Sequence, residues 1–457
     1  MYVDMPKRMN VILLISLVFI LMLAGCSSTN SGIEAPKKQT QTEGSGTKTP
    51  VEQKTEEDEK DKEPVKLVFM APWSKEQVES RFHEGTKEKF PHITIEPTGK
   101  FADAASFDEL FAQNVMPDII LTTDGFDILK DRDMLLPLDD LLKERNFDFN
   151  KIRPGIMEAL RARDPEGQGR LLGIPIEDVT VALHYNKAIF DKFGVDYPTD
   201  GMNWDEIVEL AALVTGERDG IKYRGLATNS LSQAMTQLSA NGTDPESGEP
   251  QFSKNQAFGK FFELAKRIAS IPGNWEPDIQ YDFIKGDVAM SLGLIANTIP
   301  HYPDELDYDV VSFPTWPDLP GIGPSTLPLT VAINKHSKHI DEALDVLEYL
   351  LSDEQQLRMH RLEVPSVSGD QSILEQFAAD TLEKKGGREL NIKGIYSLQQ
   401  AKPALYSPYG PDILLYGTNY VGSQVVPFLK SGDDVQTFLR KMDEDYATIV
   451  KERQLLN

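Results

Sequence analysis

The sequence is poorest in cysteine: residue 26 is the only one in 457. One thiol closes no intramolecular disulfide and builds no cysteine-based zinc site, so the body folds without covalent staples. Cations are scarce beside acids, 47 Lys and Arg against 72 Asp and Glu, for a formal charge of −25. A nucleic-acid partner needs its phosphates neutralised and anionic lipid repels such a chain, so the composition counts against both as partners of the folded body. Past residue 25 no apolar run is long enough to span a bilayer. Common catalytic signatures are missing as well: there is no GxSxG, HExxH, GxxxxGK[ST], or GxGxxG after a strand. The histidines are scattered, and the nearest pair, His336 and His339, flanks the start of a surface-like helix, where solvated side chains are the ordinary reading. "DGFDILKDRD" lacks the glycine and closing glutamate of an EF-hand. Glu177 and Asp178 are adjacent carboxylates, but sequence neighbours rarely face one another as a glycosidase pair must. No enzyme, cofactor or metal is predicted.

What is present begins at the N-terminus. Lys7 and Arg8 precede the uncharged run "VILLISLVFILMLAG", and small residues then lead into Cys26, the anatomy of a secretory signal over 1–25. The run is ~15 residues, short for a transmembrane anchor. Leu23-Ala24-Gly25-Cys26 resembles a bacterial lipobox. That resemblance implies diacylglyceryl transfer to the Cys26 sulfur, cleavage before it, and a lipidated N-terminus on the extracellular face of the cell membrane. Residues 27–64 contain no aromatic and almost no aliphatic side chain. Such a segment cannot bury enough apolar surface to offset its conformational entropy, so it is predicted to be a disordered tether, reaching on the order of 30–35 Å.

About 390 residues remain, room for two domains. "VKLVFM" reads as a buried strand, followed by a helix-like stretch to Phe90, then "HITIEP" and "PDIILTT" as further strands. This order argues for an α/β domain with a largely parallel sheet. Farther on, Phe258, Phe261, Phe262, Ala265, Ile268 and Ala269 share one helical face, as do Ile340, Ala343, Leu344, Leu347, Leu350 and Leu351. Both stripes are predicted to be core.

Three blocks carry a resemblance. "GIPIEDVTVALHYNKAIFDKFGVDYPTDGMNWDEIVELAALVTG" (173–216) has a Gly-x-Pro strand, then Tyr185-Asn186-Lys187, Phe190, Gly194, Pro198 and Trp204-Asp205-Glu206. "FIKGDVAMSLG" (283–293) and the strand and helix of 313–356 follow in order. Together they resemble the family 1 extracellular solute-binding proteins, the maltose and multiple-sugar type that feeds ATP-binding-cassette importers. The resemblance implies an α/β, two-lobed fold of the type II periplasmic-binding-protein kind, with mixed sheets flanked by helices and a hinge between lobes. Residues 65–177 with 321–363 would form one lobe, and 178–320 with 364–457 the other. It further implies a monomer that takes a carbohydrate, an oligosaccharide, into the interlobe cleft and delivers it to the permease subunits. A polyamine or a phosphorylated polyol as ligand, a surface glycosidase and a sensory co-receptor stay open as other readings.

In open α/β sheets ligands sit outside the carboxyl ends of strands, which nominates residues just after each predicted strand. Trp73 offers a flat face for a sugar ring, or plain packing. Asp124 and Gly125 follow "PDIILTT", where a carboxylate accepts from hydroxyls or caps a helix. Glu177 and Asp178 end a strand that the family uses for ligand contact; a hinge or surface role is the alternative. Gly293 ends the "DVAM" strand, yet Leu294-Ile295-Ala296-Asn297 follows where many sugar-binding relatives carry a tryptophan. Trp275 or Trp316 would compensate, or belong to the core. Tyr409 and Tyr416 fall where the family's late aromatic contacts lie, and Trp204 reads as structural.

Overall fold

Alternation of side chains along the strands divides the first predicted segment between two apolar layers. The computed structural model describes residues 62–123, 125–277, 279, 282–409 and 420–456. The signal peptide, Cys26, nearly all of the tether, Asp124 and Tyr416 lie outside them. The strands are β1 (Val65–Met70), β2 (Ile93–Pro97), β3 (Ile119–Thr122), β4 (Ile174–Glu177), β5 (Val181–Asn186), β6 (Gly216–Arg218), β7 (Ile221–Leu226), β8 (Val288–Leu294), β9 (Tyr308–Val311), β10 (Ile322–Gly323), β11 (Leu329–Ile333) and β12 (Gln399–Gln400). Leu67 and Phe69 of β1 and Ile119 and Leu121 of β3 enter one cluster, while Met70 and Ile120 enter a second on the opposite face. That is the period of two a sheet covered on both sides requires.

The first sheet has the order β2-β1-β3-β11-β4. β1 runs parallel to β2 and β3, whereas β11 is antiparallel to both β3 and β4. The sequence predicts a largely parallel sheet, and β11 is the exception for a topological reason. It returns from the second lobe and so enters the first sheet at the end where the other strands leave it. The second sheet, β6-β7-β8-β5-β9, is mixed in the same way: β5 arrives from the first lobe and runs antiparallel to β8 and β9. No apolar cluster among the described residues draws on both sheets.

The chain crosses between lobes three times, at 178–180, at 312–328 and, after the helix ending at Arg361, around 364–370. Helix α1 (Pro154–Arg161) follows Arg153 in the first lobe and buries Ile156, Ala159 and Leu160. Helix α2 (Trp204–Leu213) starts at Asn203, whose side chain and that of Glu206 form a reciprocal capping box. Helix α3 (Gln256–Ala269) buries Phe258, Phe261, Phe262, Ala265 and Ile268 in the second lobe's core. Helix α4 (Ile340–Leu350) buries Ala343, Leu344, Leu347 and Leu350 in the first, and α5 (Asp353–Arg361) leads into the third crossover. The helix predicted to reach Phe90 is instead broken into Lys75–Val78, a π-helical turn Glu79–His83, and Glu84–Thr86.

Candidate functional site

The carboxyl ends of β1, β3 and β4 point the same way, toward the crossover at 178–180. Val181, the first residue of β5, pairs with Leu294, the last of β8, so the carboxyl ends of β7 and β8 face that crossover from the other lobe. This common edge is where an α/β fold holds a ligand.

Three side chains meet there on the first lobe. Trp73, three residues beyond β1, is half-buried, with its ring edge-on to Phe69 (centroids 5.7 Å apart, 83°) and tilted against Phe82 (5.9 Å, 54°). Ser74 and Gln77 form a capping box that fixes the chain immediately after it. One turn on, the π-helical turn projects Arg81, whose guanidinium lies 4.8 Å from the Trp73 ring centroid. Its Nη1 donates to Glu177 Oε2 at 2.5 Å. Glu177 is the last residue of β4, opposite Leu329 of β11. Burial pushes its carboxyl above the ordinary value, the Arg81 charge opposes that, and neighbouring Asp178 adds to it. A flat ring, a forked donor and a carboxylate acceptor thus sit side by side. Arg81 is missed by reading the sequence, because 96 residues separate it from Glu177; π-helical turns, frequent at functional sites, leave no clear sequence pattern.

Asp178 is built differently. It is buried, and its carboxylate accepts from Arg153 Nη2 at 2.5 Å, from Thr180 Oγ1 at 2.9 Å and from the Thr326 hydroxyl. Gly125 adopts φ 116° just past β3, and two residues on, the Asp127 carboxylate accepts from the Tyr406 hydroxyl. Tyr406 belongs to the second lobe, where Asn241 Nδ2 donates to Leu405 O at 2.7 Å and Thr243 bonds Ser407 at 2.8 Å. Asp127 and Tyr406 therefore join the lobes across the cleft, and neither is singled out by the sequence.

Of the remaining candidates only Gly293, one residue before the end of β8, lies at this edge. Trp275 packs against Phe283, Val288, Tyr302, Leu306 and Tyr308, a cluster at the opening residues of β8 and β9, the end of the sheet away from the crossover. Gly293 lies inside the second lobe, where a Cβ would come 2.9 Å from Thr298 Cγ2 and 3.1 Å from His184 Nε2, so packing accounts for it. Tyr409 donates to Glu246 O at 3.1 Å and lies against the second lobe's core. Trp204 and Trp316 are buried in that core, tilted on one another with centroids 6.2 Å apart. Among the described residues no group of histidine, cysteine or carboxylates is arranged to hold a metal ion, and no helix is long and apolar enough to cross a membrane.

Residues 68–357 match the family model described as bacterial extracellular solute-binding protein. A Brucella abortus binding protein, BAB2_0491, is 25% identical over 195 residues, 40% of this chain and 47% of that one. The match thus spans about half the length of that curated relative. Among solved structures, the sugar-binding protein MalE of Xanthomonas citri superposes with a TM-score of 0.65 at 17% identity, over 86% of this chain and 99% of that one. The Listeria monocytogenes substrate-binding protein Lmo0181, in complex with cycloalternan, gives 0.61 at 14% identity over 85% and 99%. At such identities these structures establish the shared two-lobed fold.

Proposed function

This chain belongs to the bacterial extracellular solute-binding proteins, and from that premise we propose that it captures a carbohydrate, an oligosaccharide, between its lobes. It delivers that ligand to the permease of an ATP-binding-cassette importer without altering it. The observation that carries this reading is the Trp73–Arg81–Glu177 cluster at the strand ends. Aromatic rings match the C–H faces of sugars, and a paired guanidinium and carboxylate offer donors and acceptors to adjacent hydroxyls. Because Glu177 already neutralises Arg81, the cluster carries no net charge. An anionic ligand would have to displace Glu177 from Arg81, and a cationic one would meet the guanidinium. The sugar-binding protein from Xanthomonas and the cycloalternan complex from Listeria agree with this reading.

Calorimetry over a panel of mono- and oligosaccharides, a polyamine and a glycerol phosphate tests it. Trp73→Ala is expected to weaken binding of the matched saccharide by about 1–3 kcal/mol, the value of a lost aromatic face. Glu177→Gln keeps the shape and removes the charge-assisted bonds, costing about 1.5–3 kcal/mol. Failure of every saccharide to bind, or binding of the polyamine or phosphate alone, overturns the carbohydrate reading. Saccharide binding unchanged in both variants moves the contact elsewhere in the cleft.

The same proposal includes a lipid anchor at Cys26, on the strength of the Leu23-Ala24-Gly25-Cys26 sequence. Cys26→Ser is expected to abolish lipid labelling and to leave either precursor in the membrane or protein in the medium. A Cys26→Ser variant that is still processed normally and stays anchored would rule the lipid out.

A further inference from the structure

All three crossovers meet on one residue, Asp178. The Asp178 side chain is 1% exposed. Its Oδ2 accepts from Thr180 in the first crossover at 2.9 Å, and its Oδ1 accepts from the Thr326 hydroxyl in the second. Its main-chain N–H donates to Pro365 O in the third at 2.9 Å. Arg153, which precedes α1 in the first lobe, completes the set. Its Nη2 lies 2.5 Å from Asp178 Oδ2 and 2.8 Å from Ser366 O, and its guanidinium carbon lies 5.4 Å from the centroid of the Tyr396 ring. Tyr396 packs on the second lobe's cluster of Ile392 and Ile395. One ion pair therefore touches every connection between the lobes and both lobes themselves.

Both carboxylate oxygens are taken by the chain's own donors, so Asp178 has little left to offer a ligand. Buried ion pairs of this kind add little net stability over apolar replacements, and one attested use is to select one arrangement among several. The surroundings have slack as well: a crevice of about 40 Å³ opens between Arg153, Asp178, Thr180, Gly323, Tyr396 and Gln400. Glu177, in the proposed ligand cluster, is the residue immediately before Asp178, and successive side chains at a strand end point to opposite sides. Glu177 and the crossover hub are thus joined through one peptide bond.

We propose that Asp178 and Arg153 are the positioning pair of the hinge: they set the angle between the lobes in the ligand-free protein and link occupancy at Glu177 to closure, without touching the ligand. The part concerning Glu177 rests on the ligand reading above; the part concerning the interlobe angle does not.

Interlobe distances measured between one label on the exposed face of each lobe, without ligand, test the pair. Asp178→Asn leaves the Arg153 charge without its counter-ion and is expected to shift the ligand-free distance distribution. Affinity for every saccharide that binds should fall by one common factor, roughly 5- to 150-fold, because a change in the binding-competent fraction scales all ligands alike. A ligand contact would instead cost each saccharide a different factor and leave the ligand-free distances alone. A merely structural role would lower the melting temperature and move neither readout. The paired variant Asp178→Asn with Arg153→Gln removes both charges of the pair. It is expected to stay folded should the single variant fail, and to show the same shifted distances. Ligand-free distances equal to wild type in the folded variant overturn the proposal, whatever the affinity does. Absence of saccharide binding by the wild type would sink the carbohydrate reading and leave the distance measurement standing.

Discussion

Equilibrium unfolding is expected to lose about 5 kcal/mol of stability between pH 6.5 and pH 4 through two histidines alone. His184 is wholly buried on β5, with its ring edge-on to Tyr302 at 5.5 Å and Nε2 3.3 Å from Thr298 Oγ1. Burial pulls it from 6.5 to about 4, against a smaller opposing bond from the Gly293 backbone. His360 is equally buried on α5: the Ser366 N–H donates to its Nδ1 at 3.0 Å, and Nε2 lies 2.9 Å from Leu374 O. That pattern suits the neutral ring with its proton on Nε2. Burial again dominates and lowers it to about 4; the Leu374 and Val364 carbonyls oppose, Arg153 adds to the lowering, and Asp178 offsets it.

A base with a depressed folded-state pKa contributes full stability above its unfolded value. That contribution drains as pH falls, because only the unfolded chain takes up the proton. A drop from 6.5 to about 4 is worth about 3 kcal/mol per histidine over the whole titration, of which about 2.5 kcal/mol is lost between pH 6.5 and pH 4. Total stabilities of domains are about 5–15 kcal/mol, so acid unfolding should begin before most carboxylates titrate. Asp164 marks the lower window. Burial would raise it, but bonds from Arg170 and the Glu166 and Arg170 backbones hold it at about 2, so its stabilisation is lost only as pH falls from about 4 toward 2. Denaturant titrations at a series of pH values check the upper window. His184→Phe and His360→Gln should each flatten the slope between pH 6.5 and 4 by about half. A wild-type stability that stays level across that interval would contradict the assignment.

Gly225→Ala is expected to cost about 3 kcal/mol or more, enough to leave much of the chain unfolded. Gly225 sits on β7 where the strand crosses beneath the last turn of α2. A Cβ there would come 2.0 Å from Ala211 O, 2.5 Å from its carbonyl carbon and 2.6 Å from its Cα. These are main-chain atoms of a helix, so no side-chain rotation relieves the overlap. Thr215 tightens the same spot: its hydroxyl donates to Ala211 O at 2.6 Å and accepts from the Gly225 N–H at 2.9 Å. Moving α2 would also drag Trp204 and Ile207 out of the second lobe's core. Thermal and denaturant unfolding of the Ala variant reads the effect, and a loss below about 0.5 kcal/mol would mean that the helix yields.

Features that depend on short-range pattern are legible in the chain alone. β1 and β3 are read from runs of apolar residues, and α3 and α4 from helical stripes, because burial imposes its period on neighbouring positions. The ordered blocks of 173–216, 283–293 and 313–356 point to the family, and the two-lobed fold follows from it. Trp73 and Glu177 are reachable because strand ends can be read from the chain. What those residues meet is a matter of tertiary structure. Arg81 reaches Glu177 across 96 residues, and Tyr406 reaches Asp127 across 279. The antiparallel run of β11 and the burial of Asp178 among three crossovers follow from the same cause. The chain leaves each lobe and returns to it, so contacts at the cleft and hinge are set by where distant segments re-enter. No local period or spacing records that.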